Sequence, residues 1–587
     1  MSMLEVQNLR VRYLSENGAS ETVKDMSLRV EAGEITGLVG ESGSGKSTAM
    51  LAMMGLLNDR ADIHWEQLSL DGEKLIPGYN VSMIFQDPLS SLNPSVRIGR
   101  QITETIRLRQ KCGRKEAVKR AEELLDMVGI SDPSLKMRRY PIELSGGMRQ
   151  RVVLSIALAC QPKLIIADEP TTALDAVVQA QILTLLKRIV RETGTSLLLV
   201  SHDMGVTAAM CSHVYVMRKG SIVENGVVND IFYFPVHEYT KRLLADAGGI
   251  RRASAVKADK TPLLRMEHVT KRFDGSEGIT DLSLEICKGE IFALAGESGS
   301  GKTTTARIIT GMLREDSGAV YYKGEMLPHR KRMKAFGGKV QMVFQDPYAS
   351  LNPSLTVRQA LLEALMASES KRGKEMDCEE LERRITQMLK LTGIPREDAD
   401  RYPADFSGGQ RQRIGIARAL IVEPELLVCD EALSSLDTST REQILDLLFH
   451  IQKKIGFACL FISHDMHVLR RISGRIGVMY GGRLAEAGST EEVCADPWHP
   501  YTKQLLESVP QPDPVRAVKV KAYPVKDSMH NEDRGCPFVG RCGYALGCCK
   551  DETPDGYSFG SRQVSCFLYS EKHSGRRDKN YEMTCQI

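Results

Sequence analysis

The chain repeats itself, and this repeat restricts the folds open to it more than any other feature. The segment GLVGESGSGKST, which begins at Gly37, returns as ALAGESGSGKTT from Ala293, 256 residues later. Four further segments return in the same order about 262 residues later, namely LSGGMRQR, ADEPTTALD, SHDM and HEYTKRLL. Because the order and the spacing survive in both halves, the sequence predicts two homologous domains in tandem.

The repeat also places the domain boundaries. We predict the two domains over residues 1–246 and 263–510. Residues 247–262, AGGIRRASAVKADKTP, have no apolar period and are predicted to form a linker. The repeat stops after residue 510, so residues 511–587 are predicted to be a C-terminal extension of the second half.

Composition excludes several classes of protein. The 78 basic and 75 acidic residues leave a net charge of +3, which gives no support to a nucleic-acid partner. The N-terminus lacks the apolar core of a secretory signal. Apolar runs are far shorter than the roughly 18 consecutive residues that a transmembrane helix needs. We therefore expect a folded protein on the cytoplasmic side of the membrane.

The repeated glycine-rich segment has the form of a phosphate-binding loop. It follows a short apolar strand and precedes a helix-forming stretch in each half. Glycines turn the backbone N–H groups toward one point, and a lysine reaches the β and γ phosphates. The expected phosphate contacts are Gly40, Ser42, Gly43, Gly45, Lys46, Ser47 and Thr48, and in the second half Gly296, Ser298, Gly299, Gly301, Lys302, Thr303 and Thr304.

Two carboxylates end an apolar run in each half. LIIADE ends in Asp168 and Glu169, and LLVCDE ends in Asp430 and Glu431. Continuous apolar runs are typical of buried parallel strands, whose carboxyl ends meet at one edge of a sheet. There the aspartate is expected to hold magnesium, and the glutamate to polarise an attacking water. One such pair alone would fit a surface strand end equally well, but its position after a phosphate loop favours the nucleotide site.

The segments GESGSGKST, LSGGMRQR, ADEP and SHD, in this order, resemble those of the ATP-binding cassette (ABC) ATPases, and the resemblance covers both halves. It implies an α/β fold with two tandem P-loop NTPase domains. Each would have a RecA-like core, an antiparallel β subdomain and a helical subdomain.

In that family the cassettes pair head to tail. The resemblance implies one composite ATP site formed by Lys46 and Glu169 with Ser407, Gly408 and Gly409. The other site would be formed by Lys302 and Glu431 with Ser145, Gly146 and Gly147. Magnesium ligands are then expected at Ser47, Gln86, Asp168, Thr303, Gln345 and Asp430.

Further roles follow from the same resemblance. His202 and His464 match the switch histidine that contacts the γ phosphate. Tyr13 and Phe273 match the aromatic position that stacks on adenine, although aromatic residues in strands are also common in cores.

Three residues depart from the family pattern, namely Met148, Phe406 and Ala432. None of them removes a phosphate contact or a carboxylate, so we expect two hydrolytic sites that need not be equal in rate.

The segments QDPLSSLNPS, QDPYASLNPS, HEYTKRLL and HPYTKQLL are similar to those of the dipeptide, oligopeptide and nickel importer subfamily. This implies two separate permease subunits, an extracytoplasmic solute-binding protein and peripheral attachment at the cytoplasmic face of the membrane. Substrate specificity would then reside outside this chain. The alternatives are a soluble twin-cassette ATPase acting on ribosomes and a non-catalytic cassette protein.

The extension carries a second subfamily signature. Cys536, Cys542, Cys549 and Cys566 lie within GCPFVGRCGYALGCC and VSCFLY, which resembles a C-terminal motif that implies a [4Fe-4S] cluster. Four thiolates suit such a cluster. Zinc and a set of unliganded thiols remain alternatives, and Cys548 could replace Cys549.

Overall fold

The computed structural model describes residues 2–15, 18–172, 174–248, 261–273, 276–372, 377–433, 436, 438–517 and 535–570. It divides into two compact units. Among these residues, the first unit is built mainly from residues 2–248 together with the later segment 507–517, and the second from most of residues 261–506 and from residues 535–570. Residues 249–260 of the predicted linker lie outside the described residues.

The first unit is built around a mixed sheet of parallel and antiparallel strands. Its strands are β1 (Ser2–Ser15), β2 (Gly18–Glu31), β3 (Ile35–Val39), β4 (Ala61–His64), β5 (Gln67–Leu70), β6 (Val81–Ile84), β7 (Leu164–Asp168), β8 (Ser196–Ser201), β9 (His213–Arg218) and β10 (Ser221–Val227). The order is β4-β1-β2-β10-β9-β3-β8-β7-β6, and β5 also pairs with β1. The run from β9 to β6 is parallel, whereas β1 pairs antiparallel with β2, β4 and β5.

Helices cover the parallel strands. They are α1 (Lys46–Met53), α2 (Pro88–Ser91), α3 (Ile98–Gln110), α4 (Arg114–Met127), α5 (Pro133–Lys136), α6 (Gly146–Ala159), α7 (Ala176–Thr193), α8 (Met204–Met210), α9 (Val228–Tyr233) and α10 (Glu238–Gly248), with a short 3-10 helix at Pro141–Glu143. Every residue of β3, β7 and β8 is buried. This burial explains why these strands are continuous apolar runs rather than alternating ones.

The second unit repeats this plan. Its strands are β11 (Pro262–Phe273), β12 (Ser276–Cys287), β13 (Ile291–Gly296), β14 (Ser317–Tyr322), β15 (Glu325–Met326), β16 (Val340–Val343), β17 (Leu426–Asp430), β18 (Ala458–Ile462), β19 (Arg475–Tyr480), β20 (Arg483–Ser489), β21 (Tyr557–Phe559) and β22 (Arg562–Val564). Strands β11, β12, β14 and β15 form an antiparallel sheet in the order β12-β11-β14-β15. The remaining strands follow the order β16-β17-β18-β13-β19-β20-β22-β21.

The helices of the second unit are α11 (Lys302–Ile309), α12 (His329–Phe336), α13 (Pro347–Ser350), α14 (Val357–Arg372), α15 (Cys378–Thr392), α16 (Gly408–Leu420), α17 (Thr438–Ile455), α18 (Met466–Ile472), α19 (Thr490–Ala495) and α20 (Pro500–Glu507). Short 3-10 helices occur at Arg396–Asp400, Pro403–Asp405, Val539–Arg541, Gly547–Lys550 and Phe567–Tyr569. None of the helices in the described ranges combines the length and the apolar character that a bilayer crossing requires.

The chain segment after α20 packs within the first unit. Its short helix α21 (Pro514–Ala517) lies against α8 and α9, and Ala517 is only 1% exposed in the core of that unit. Tyr233 Oη donates to Asp513 Oδ1 over 2.7 Å. Residues 511–517, which the sequence-based division assigns to the extension, are therefore grouped with the first unit.

Residues 535–570 continue the sheet of the second unit. Strand β22 pairs antiparallel with β20, with Val564 opposite Glu486. The side chain of Glu486 is fully buried, and Arg562 pairs with it over 2.5 Å. A buried carboxylate needs such a partner, because an unpaired charge in the interior is strongly destabilising. This ion pair fixes the cysteine-rich segment to the second unit.

Candidate functional sites

The first phosphate-loop segment joins the end of β3 to the start of α1. Lys46 is 5% exposed, and its Nζ donates to the carbonyl oxygens of Gly40 over 2.7 Å and Glu41 over 2.8 Å. Gly45, which precedes α1, has a φ of 102°, and a Cβ there would lie 2.8 Å from the carbonyl oxygen of Thr22. A side chain at this position would therefore be both strained and blocked.

The second loop has the same construction between β13 and α11. Lys302 is 4% exposed, and its Nζ donates to the carbonyl oxygens of Gly296 over 2.9 Å and Glu297 over 2.7 Å. Gly301 has a φ of 100°. In each unit a buried ammonium therefore lies inside a loop that opens onto a helix N-terminus, an arrangement that attracts anions.

Three side chains converge on the carboxylate of Glu169. His202 Nδ1 lies 2.8 Å from Oε1, and Gln86 Nε2 and Thr172 Oγ1 each donate to Oε2 over 2.9 Å. Burial raises the pKa of Glu169 and is the largest single effect, but the hydrogen bonds from His202 and Thr172 and the nearby positive charges of His202 and Lys46 together outweigh it, so the net pKa falls below the ordinary value. Glu169 therefore remains ionised and able to accept a proton.

Glu431 lies farther from its glutamine and its histidine than Glu169 does. Gln345 Nε2 donates to its Oε2 over 3.2 Å, and His464 Nδ1 lies 3.7 Å away, beyond hydrogen-bond distance. The contact with His464 nevertheless lowers the pKa of Glu431 against the effect of burial. Both glutamates have a positive φ, 47° for Glu169 and 46° for Glu431. Such a backbone is uncommon for residues other than glycine and is frequent at functional sites.

The neighbouring aspartates are suited to a hard cation. Asp168 Oδ1 is buried and has no hydrogen-bond partner among the described residues, and burial raises the pKa of its carboxyl despite a hydrogen bond from Ser47. Asp430 Oδ1 accepts from Thr303 Oγ1 over 3.2 Å. Carboxylate and hydroxyl oxygens are magnesium ligands, and an unpartnered carboxylate oxygen beside the loop fits such an ion.

Helices α6 and α16 begin at the SGG segments. Ser145 Oγ and Ser407 Oγ each accept from the backbone N–H three residues later, over 3.4 Å. In the second unit Ser407 N in turn donates to Gln410 Oε1 over 3.0 Å, whereas Met148 occupies the position of Gln410 in the first unit. The predicted departure at Met148 therefore removes half of a capping box.

The remaining predicted residues lie in different surroundings. Phe406, which precedes the second SGG, is 3% exposed and fills a core position. Tyr13 is partly buried and packs against the core of the first unit, whereas Phe273 is 40% exposed. Phe273 thus has the more accessible ring for stacking on a base.

Sequence reasoning missed a tyrosine behind each phosphate loop. Tyr239 Oη accepts from Glu41 N over 3.0 Å, and Tyr501 Oη accepts from Glu297 N over 2.9 Å. Both tyrosines lie in the repeated HEYTK and HPYTK segments, so the repetition was the signal that could have identified them.

An arginine beside the second site was also missed. Arg441 Nη1 donates to Asp465 Oδ2 over 2.8 Å, next to His464, and its Nη2 donates to the Leu436 carbonyl over 3.0 Å. Gln179 occupies the equivalent position in the first unit. The two sites therefore differ at this position, because an arginine bonds to the aspartate after the histidine in the second unit and a glutamine stands there in the first.

The four predicted cysteines meet in one pocket. Cys536, Cys542, Cys549 and Cys566 line it, together with apolar neighbours such as Phe538, whereas Cys548 does not. Burial raises the pKa of Cys542 to about 11 and that of Cys566 to about 12, so the free thiols stay protonated. No group of three or more His, Cys, Asp or Glu side chains within the described residues is arranged to hold a single metal ion.

Two protein-family models match the chain. Residues 23–172 and 279–434 match the ABC transporter family, and residues 485–549 match the oligopeptide/dipeptide transporter C-terminal region. The chain is 38% identical over 571 residues to the glutathione import ATP-binding protein GsiA of Escherichia coli O6:H1, covering 88% of this chain and 90% of that protein. The protein of the same name from Escherichia coli K12 has the same identity and coverage.

Single cassettes of known structure are also similar. The structure of cbiO1 from Clostridium perfringens, described as part of the ABC transporter complex cbiONQ, is 27% identical and covers 40% of this chain and 92% of its own, with a TM-score of 0.37.

The family models and the GsiA relatives support neither a ribosome-directed ATPase nor a non-catalytic cassette protein. With a phosphate loop, a paired aspartate and glutamate and an SGG helix in each unit, the chain belongs to the ABC transporter family, as an ATP-hydrolysing importer subunit of the oligopeptide/dipeptide type with two cassettes in one polypeptide.

Proposed function

We propose that this importer ATPase binds two ATP molecules between its cassettes, each held by the phosphate loop of one and the SGG helix of the other. ATP binding closes the pair, closure moves a permease, and hydrolysis reopens the pair. The observation that carries the proposal is the convergence of Gln86, Thr172 and His202 on the carboxylate of Glu169 beside a buried loop lysine.

Glu169 and Glu431 are the proposed general bases. Each would accept a proton from the water that attacks the γ phosphate, and His202 and His464 would orient the glutamate and contact that phosphate. The ionised state of both carboxyls supports this role. Because His202 lies within hydrogen-bond distance of its glutamate and His464 does not, we propose that the two sites turn over at different rates.

Magnesium would supply charge compensation for the phosphates when it is bound. Ser47, Gln86 and Asp168 would hold it in the first site, and Thr303, Gln345 and Asp430 in the second. The buried, unpartnered Oδ1 of Asp168 supports this assignment.

The proposed partners are two integral membrane permease subunits and, through them, an extracytoplasmic solute-binding protein. The chain would then sit at the cytoplasmic face of the membrane. The exposure of side chains at the repeated QDP segments supports a docking role, since Phe85, which directly precedes the first segment, is 36% exposed and Tyr348, within the second, is 63% exposed. The segments begin with Gln86 and Gln345, so a permease in contact with them would sense the nucleotide site.

Short peptides are the proposed transported solutes. The match to the oligopeptide/dipeptide C-terminal region and the likeness to a glutathione import protein support this class, since glutathione is a tripeptide.

A [4Fe-4S] cluster is the proposed occupant of the four-cysteine pocket. A single zinc ion would need all its sulfur ligands about 2.3 Å away, and no such group occurs among the described residues. A four-iron cluster is larger and holds its cysteine sulfurs farther apart, which suits four cysteines spread around one pocket. The protein groups that would hold it are Cys536, Cys542, Cys549 and Cys566.

The general bases can be tested by substitution. The double variant Glu169→Gln/Glu431→Gln should release phosphate on the order of 100- to 10,000-fold more slowly, because the amide cannot accept the proton. Equilibrium ATP binding should be retained, since the amide is isosteric. Glu238→Gln, whose side chain is 86% exposed, is the control. If either single variant kept full activity, that site would not be hydrolytic.

Head-to-tail pairing can be tested with double substitutions. Lys46→Ala and Ser407→Ala should damage the same composite site, so the combined variant should hydrolyse ATP no more slowly than the worse single variant. Lys46→Ala combined with Ser145→Ala should damage both sites and abolish the remaining turnover. The two serines cap equivalent helices, so the pairs are matched, and the opposite pattern would contradict the proposed pairing.

The cluster can be tested by metal analysis. Anaerobically purified protein should be brown and contain iron and acid-labile sulfide, and Cys549→Ser should lose both. Cys548→Ser is the matched control, because Cys548 lies outside the pocket and should be dispensable. A colourless protein containing zinc would refute the cluster.

Transport is the direct test of the solute class. In proteoliposomes carrying the chain with its permeases and binding protein, labelled dipeptides or glutathione should accumulate only with ATP. The Glu169→Gln/Glu431→Gln variant should abolish accumulation. ATP-dependent uptake of nickel without uptake of any peptide would overturn the assignment.

A further inference from the structure

The cysteine-rich extension contacts the phosphate loop of the second cassette directly. Arg541 Nη1 donates to Glu297 Oε2 over 2.8 Å, and Nη2 donates to Oε1 over 2.9 Å. The two side chains are only 7% and 16% exposed. A bidentate pair of this kind fixes both position and orientation.

Glu297 belongs to the loop itself. It follows Gly296, and its carbonyl oxygen accepts from the loop lysine, Lys302, over 2.7 Å. Its backbone N–H donates to Tyr501 Oη over 2.9 Å. Glu297 therefore links Arg541 on one side to the lysine that would contact the phosphates on the other.

Aromatic packing holds Arg541 in place. Its guanidinium lies over the rings of Tyr480 and Phe538, 5.6 and 5.7 Å from their centroids. Phe538 is 3% exposed, and its ring lies 5.5 Å from that of Tyr501. The extension thus reaches the loop through packed side chains rather than through an exposed surface pair, which makes the contact less sensitive to solvent screening.

Among the described residues, the first cassette shows no contact equivalent to that of Arg541 with Glu297. Tyr239 lies behind its loop as Tyr501 does, but no ion pair of the Glu41 side chain occurs within the part of the chain that the structure describes. Arg218 stands at the position of Tyr480, and its guanidinium lies over the Tyr239 ring, 4.9 Å from the centroid. The linkage through Glu297 therefore distinguishes the second loop from the first.

Arg541 is also adjacent to the four-cysteine pocket. It ends the 3-10 helix Val539–Arg541 and directly precedes Cys542, which lines that pocket. Phe538 lines the pocket as well as packing against Arg541. A change in the pocket that moves Cys542 would consequently act on the residue bonded to the loop.

We propose that Arg541 is a positioning residue for ATP in the second cassette, and that it transmits the state of the four-cysteine pocket to that nucleotide site and not to the first. The ion pair of Arg541 with Glu297 neutralises a carboxylate close to where the phosphates bind. It also holds the loop in the shape that Lys302 requires. The transmission from the pocket rests on the proposed cluster, whereas the positioning of the loop does not.

The positioning role is tested by nucleotide affinity in the full chain. Titration with a fluorescent, non-hydrolysable ATP analogue measures the Kd at the second loop when the first is disabled by Lys46→Ala. The same titration measures the Kd at the first loop when the second is disabled by Lys302→Ala. Arg541→Gln should raise the Kd at the second loop about 5- to 20-fold, in the lower part of the usual range for coupled sites, and leave the Kd at the first loop within about twofold. Equal effects at both loops, or none at either, would overturn the proposal.

A double-substitution cycle separates positioning from general loss of structure. Arg541→Gln combined with Glu297→Gln should bind the analogue more tightly than Arg541→Gln alone, because no unpaired carboxylate is left near the phosphates. Glu41→Gln is the matched substitution in the first loop and should show no coupling to Arg541→Gln. Additive effects of Arg541→Gln and Glu297→Gln would contradict the linkage.

Arg541→Lys is a conservative variant that controls for misfolding caused by the loss of the charge. It keeps the charge but not the two-pronged geometry, so it should give an intermediate Kd at the second loop. A Kd equal to that of the parent protein would show that the bidentate contact does not matter.

The transmission is tested with the cysteines. Cys542→Ser should raise the second-loop Kd and add nothing in an Arg541→Gln background, whereas Cys548→Ser should leave it unchanged. An iron-containing protein in which Cys542→Ser does not alter the Kd would overturn the transmission. Absence of iron, with the Arg541 and Glu297 coupling intact, would refute the cluster and leave the positioning role supported.

Discussion

The phosphate loop is the constraint on which the rest of each cassette depends. Its backbone must turn at a positive φ against neighbouring carbonyl groups, so Gly45 and Gly301 admit no side chain. The loop must also keep a lysine ammonium buried, which it does by accepting Nζ hydrogen bonds at its own carbonyl oxygens. A buried parallel strand on one side and a helix on the other hold this shape, and the acidic strand ends then bring carboxylates beside it.

The two cassettes apply the same plan with different detail. In the first, the histidine, the glutamine and a threonine all contact the glutamate closely, whereas in the second the histidine stands farther away. The second cassette instead adds an ion pair between Arg441 and Asp465 and a complete capping box at Ser407. Duplication followed by local change thus leaves two sites with the same groups but unequal support, and the second alone carries the contact from Arg541.

The C-terminal region has two structural roles in two places. Residues 507–517 pack on helices of the first unit, and residues 535–570 add strands to the second through the buried pair of Arg562 and Glu486. The extension is therefore not an appendage outside the cassette. Its sheet pairing and its contact with Glu297 make it part of the wall behind the second phosphate loop.

The sequence by itself determined the duplication, the phosphate loops, the acidic strand ends and the four cysteines, because each depends on residue types at short, fixed spacings. Glycine and lysine must stand where the loop turns, and an apolar run must precede a buried carboxylate. Only the tertiary structure decided that the pocket takes Cys549 rather than Cys548, that Asp513 returns to the first unit, and that Arg541 meets Glu297, 244 residues earlier in the chain. Such contacts depend on how distant segments pack, and no local spacing records which buried carboxylate a given arginine will reach.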